Sequence, residues 1–216
     1  MDRSTVMRAV RQPASAAIAG LVFGGILCTV IVLFHQAAPV SIADYARWAE
    51  DPTRRQQIGI ALDLVPFAGI AFLWFIAVVR ALLGSLHDRF FETVFLGSGL
   101  LFVAMLFSAA GALKAVLVLT DAGVVLSPDL LGLVWAFAAA MLGSFGARMA
   151  AVFTLSVATV GMRTGTVPRW MAFTGYAAGL LLLLTPPLPN LMQFLFPAWV
   201  ILLSVHILVR RRTRPE

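Results

Sequence analysis

Six stretches of the chain, 14–34, 58–83, 93–118, 130–161, 170–184 and 194–209, run with almost no charge. A helix crosses the roughly 30 Å hydrocarbon core of a bilayer in about 20 apolar residues. Inside that core each backbone N–H and C=O must be bonded within the segment itself, so long apolar runs become helices. The expected fold is therefore all-α: a polytopic membrane protein with six transmembrane helices in a single domain over 1–216. The composition agrees, being 61% hydrophobic and 12% charged, where a soluble domain has about a quarter charged residues. Too little polar sequence is left for a separate soluble domain.

Charge decides orientation, because Lys and Arg are retained on the cytoplasmic side. With the N-terminus inside, the inner segments hold Arg3, Arg8 and Arg11, then Arg80 and Arg89, then Arg163 and Arg169, then Arg210, Arg211, Arg212 and Arg214. The outer side holds only Arg47, Arg54, Arg55 and, near a helix end, Lys114. Both termini are expected to be cytoplasmic. The basic N-terminal stretch looks like a signal peptide, but Phe34-His35-Gln36-Ala37-Ala38-Pro39 makes a poor cleavage site, so an uncleaved first helix is the expectation. The formal charge of +6 is used up by topology and anionic headgroups rather than by nucleic acid.

Two local features stand out on the outer side. Ser41 with Asp44 forms an S-x-x-D capping signature, and Ile42, Tyr45, Trp48 and Ala49 share a face. An interfacial helix near 41–50 is expected, with Arg47 and Glu50 turned to water. Asp51-Pro52 reads as an N-cap followed by a first-turn proline. Between the last two spans, Pro186-Pro187-Leu188-Pro189 cannot stay helical and predicts a tight hairpin.

Ionisable residues inside a bilayer are costly and mark function. Away from helix ends the candidates are Asp63, Lys114 and Arg148. Pro66 follows Asp63 and predicts a kink beside the carboxylate, a common way to build an ion site. Asp63 either serves such a site or pairs with a cation, Lys114 or Arg148. Lys114 either snorkels outward or reaches Asp63. Arg148 is too deep to snorkel and is expected to face protein or a wet cavity, with Ser144, Ser156 and Thr159 sharing its side of the helix as a polar stripe. Small residues form two ridges, Ala16, Gly20, Gly24 and Cys28 in the first span and Ala139, Gly143, Ala147 and Ala151 in the fourth; both are expected at helix seams, within the chain or across a homodimer.

Other chemistries lack their residues. Bis-histidine haem would need ligands at matched depth, whereas His35 is outside and His87 and His206 are inside. There is no HExxH, GxSxG, Walker loop or Cys/His cluster, and Cys28 is the single cysteine. No metal and no cofactor is expected.

The segment from Arg148 to Tyr176, with Arg163-Thr164-Gly165 and Pro168-Arg169-Trp170, and the close Trp199 to Ser204 before a basic tail, resemble small uncharacterised polytopic membrane proteins of actinobacteria. The resemblance implies a bacterial inner (plasma) membrane and brings no activity or site with it. The leading expectation is a non-enzymatic accessory or lipid-contacting membrane subunit, with membrane lipids and a partner membrane protein or second copy as partners. The alternatives are a small secondary transporter or channel using Asp63 and Arg148, and an intramembrane lipid-modifying enzyme.

Overall fold

A computed structural model describes residues 13–41, 44–83, 89–184 and 190–212. Among them every regular element is helical: α1 (Pro13–Ala37), α2 (Asp44–Glu50), α3 (Pro52–Leu83), α4 (Arg89–Asp121), α5 (Pro128–Ala139), a π-helical turn (Ala140–Gly146), α6 (Ala147–Arg163), α7 (Arg169–Leu184), a 3-10 turn (Asn190–Phe194) and α8 (Leu195–Arg212). Five helical segments are long and apolar enough to cross a membrane: Ala17–Ala37, Pro52–Ala81, Thr93–Asp121, Pro128–Arg163 and Met192–Val209. Arg169–Leu184 is apolar but shorter. The prolines expected to form the last hairpin lie outside the described residues.

The helices run past the apolar stretches because their ends are capped by polar groups. Asp51 Oδ1 accepts the N–H groups of Thr53 (2.9 Å) and Arg54 (3.1 Å), so α3 starts at Pro52 rather than at the first apolar residue. Ser127 Oγ accepts the N–H of Leu130 at 3.3 Å, with Pro128 in the first turn of α5. At the other end of that span Gly165 takes φ +68, the left-handed conformation that ends α6. The chain then turns back so that the Val167 N–H reaches the Gly161 carbonyl at 2.9 Å.

Phe72 of α3 is fully buried at the centre of the bundle. Its ring centroid lies 4.5 Å from Phe23 (α1), 5.4 Å from Phe102 (α4), 5.1 Å from Phe153 (α6) and 5.6 Å from Phe196 (α8). Five helices thus meet on edge-to-face and tilted aromatic contacts. Lipid is as apolar as this core, so shape rather than expulsion from water holds it.

The small residues permit that closeness. A Cβ on Gly20 would collide with the Ser204 hydroxyl of α8 and the Phe75 ring, and one on Gly24 with Ile201. The first ridge therefore faces α8 and α3; its Ala16 side chain lies outside the described set. In the other ridge, Ala147 and Ala151 are buried, and the Ala151 carbonyl lies 3.3 Å from where a Cβ on Gly179 of α7 would sit. Ala139 is exposed, however, and the π-helical turn Ala140–Gly146 interrupts the four-residue spacing, so the second ridge is buried only at Ala147 and Ala151 and does not form the continuous seam expected.

At the end of the bundle where α1 closes, a second core forms. Trp48 of α2 is 1% exposed and stands edge-on to Trp135 of α5 at 5.6 Å, which in turn meets Phe34 of α1 at 6.1 Å. The short helix is thus docked on the bundle by its tryptophan, with Arg47 and Glu50 exposed. The Asp44 carboxylate does not complete a capping box. It accepts the Val40 N–H at 3.3 Å and a two-point contact from Arg54, at 2.8 and 3.2 Å.

Candidate functional site

The charged residues near this end of α3 and α4 come from two helical faces. Arg55, Gly59 and Asp63 recur at four-residue steps on α3, and Lys114, Leu117 and Asp121 at three- and four-residue steps on α4. Each row presents one side of its helix to the other. Lys114 Nζ donates to Asp63 Oδ1 at 2.6 Å, and Arg55 Nε lies 3.4 Å from Asp121 Oδ1. Between the pairs runs a groove of about 410 Å³, lined among others by Gln56, Gly59, Ile60 and Leu117.

Asp63 lies on the outward flank of the bundle. Its side chain is 69% exposed and that of Lys114 42%, and Asp63 shares the exposed stripe of α3 with Ile60, Phe67, Ile70 and Trp74. Along the axis it is about 16 Å from Pro52 at the rise of an α-helix, in a helix of about 48 Å. Pro66 sits on the same exposed side, and α3 continues through it to Leu83.

Arg148 is elsewhere. It is half-buried and donates through Nη1 to the Ser144 carbonyl at 2.7 Å. Just before it the chain makes the π-helical turn, where the Ala147 N–H reaches back to the Leu142 carbonyl. A π turn inserts a residue into the helical register, so Ser144 and the residues after Gly146 do not follow one uninterrupted 3.6-residue period. The expected polar stripe is correspondingly divided. Ser156 and Thr159 each donate at 2.8 Å to carbonyls of their own helix, Val152 and Leu155. Thr159 also accepts from Tyr176 Oη of α7 at 3.1 Å. Among the described residues no ion pair joins Arg148 to Asp63, and no group of three His, Cys, Asp or Glu side chains is placed to hold a metal.

Sequence reasoning missed the roles of Arg54, Arg55 and Asp121. Arg54 donates to the carbonyls of Ala37 (3.2 Å) and Ala38 (3.1 Å) as well as to Asp44. It thereby satisfies free carbonyls at the end of α1 and ties three helix ends together. Arg55 also donates to the Ala49 carbonyl of α2. The signal was available in the four-residue recurrence of Arg55, Gly59 and Asp63, but only the partner helix shows what that face meets.

Compared with known protein families, curated proteins and solved structures, the chain matches none.

Proposed function

We propose that this chain is a six-span protein of a bacterial inner membrane, with both termini cytoplasmic, that acts without chemistry of its own as a lipid-contacting accessory subunit. The observation that carries this reading is the ionic groove on the bundle flank: Asp63 and Lys114 form a mutual pair open to the surroundings, where they are available to lipid or to a neighbouring chain. The span that brings the five to six is α7, fifth in chain order and about 24 Å long by helical rise, with Arg163 before it and Arg169 at its start. A hydrophobic stretch slightly shorter than the bilayer is tolerated by local thinning and by neighbours. Gly175 and Gly179 allow α7 to sit close against Ala158 and Leu155 of α6.

A transporter would need its ionisable residues to share a path. Arg148 is bonded within its own helix and Asp63 is paired on α4, which favours the accessory reading over that one. The test is extraction of the protein from its own membrane into lipid nanodiscs and native mass spectrometry of the intact particle. The expected result is bound phospholipid, or a stoichiometric partner chain, retained through detergent exchange. Turnover of a lipid or ion flux by the purified protein alone, abolished by Asp63→Asn, would overturn the reading.

A further inference from the structure

The groove between α3 and α4 has a composition that selects among headgroups. Its ionisable lining consists of two cations, Arg55 and Lys114, and two anions, Asp63 and Asp121. Lys114 donates one of its three ammonium protons to Asp63, and each carboxylate keeps lone pairs to accept with. Among the described residues no aromatic side chain lines the groove, and π faces are what recognise quaternary ammonium groups. Beyond Asp63 the outward stripe of α3 is wholly apolar for three turns, with Phe67 61%, Ile70 53% and Trp74 66% exposed. A charged recess that opens along the helix onto an apolar strip matches a molecule with a dipolar head and hydrocarbon tails.

We infer that the groove binds a zwitterionic phospholipid with a primary amine, of the phosphatidylethanolamine class. Its phosphate is received by Lys114 and its ammonium by Asp63, the pair next to the apolar strip, and its acyl chains lie along Phe67, Ile70 and Trp74. The balance of charge matters: a purely anionic head would gain Lys114 and face Asp63, whereas a zwitterion complements both members of that pair. This assignment rests on the lipid-contacting reading above.

The test uses the full chain, stripped of lipid by detergent exchange and offered equimolar phosphatidylethanolamine, phosphatidylcholine and phosphatidylglycerol with identical acyl chains. Bound adducts are counted by native mass spectrometry. Ethanolamine lipid should exceed each of the others by about tenfold, the effect expected of one additional charge-assisted hydrogen bond. The double variant Asp63→Asn/Lys114→Gln, which leaves no charge unpaired, should bring all three to one level. Should that variant lose its thermal transition, Ile60→Trp, which fills the groove from an exposed position, should abolish the preference instead. Equal retention of the three lipids, preference for the glycerol lipid, or preference surviving in both variants would overturn the inference while leaving a lipid-contacting protein. Displacement of the lipid by soluble glycerophosphoethanolamine at equal concentration would also overturn it, since the tails would then contribute nothing. Failure to retain any lipid would instead remove the reading on which the inference rests.

Discussion

Asp63 and Lys114 illustrate how little a charge within an apolar run says until its partner is known. From the sequence, either Lys114 or Arg148 could neutralise the carboxylate. The 2.6 Å contact falls to Lys114 because both groups lie near the same end of adjacent helices, while Arg148 takes the Ser144 carbonyl. Since both side chains are substantially exposed, their coupling in detergent should be small. A double-mutant cycle on thermal unfolding with Asp63→Asn and Lys114→Gln should give about 0.5–1 kcal/mol; a value several times larger would mean that the pair is desolvated. Asp44 offers a pH test. The hydrogen bond from Arg54 holds its carboxyl below the ordinary carboxylate range. A carboxyl with a lower folded than unfolded pKa adds stability that is fully present above the unfolded value, about 4, and is lost as pH falls through the folded value. The melting temperature contributed by this group should thus hold from neutrality to about pH 5 and fall below about pH 4. Comparison of the parent with Asp44→Asn over that range isolates it; parallel profiles would show that Asp44 is not the group responsible.

At the scale of elements, the glycines distinguish contact from composition. Gly20, Gly24 and Gly25 lie within two turns of α1 and look alike in sequence. A methyl at Gly20 meets the Ser204 hydroxyl and the Phe75 ring, whereas at Gly25 it meets nothing within 4 Å. Gly20→Ala should therefore push α8 and α3 away from α1 and destabilise by about 1–3 kcal/mol. Gly25→Ala should be neutral or gain up to about 1 kcal/mol from helix propensity. Unfolding of the two variants side by side in one detergent checks this, and equal effects would contradict the packing described. The ridge itself was legible, because small residues at four-residue spacing signal a close seam. Which helix sits in the seam was not, because the pattern carries no information about the opposing surface. The same limit applies to α2: its apolar face was readable, but a tryptophan that lies in the headgroup region and one that docks on Trp135 obey the same periodicity.

For the whole molecule, topology remains the prediction that follows most directly from charge. In a Cys28→Ala background, Arg47→Cys should react with a membrane-impermeant maleimide from outside, while Arg169→Cys should react only after permeabilisation. Both side chains are exposed, so burial does not confound the result. A cysteine appended after Glu216 should share the protection of Arg169→Cys if α7 and α8 both cross, and should react from outside if α7 does not. Helical class and the five long apolar helices were determined by the sequence alone, because bilayer thickness and the need to bond each backbone group act locally on any apolar run. The meeting of five helices at Phe72, the clamp of Arg54 on the end of α1, the pairing of Asp63 with Lys114 and the register shift ahead of Arg148 were decided only by the tertiary structure. Each depends on which surface opposes which. In a lipid solvent that choice rests on shape and polar partners rather than on hydrophobicity, which all faces of these helices share.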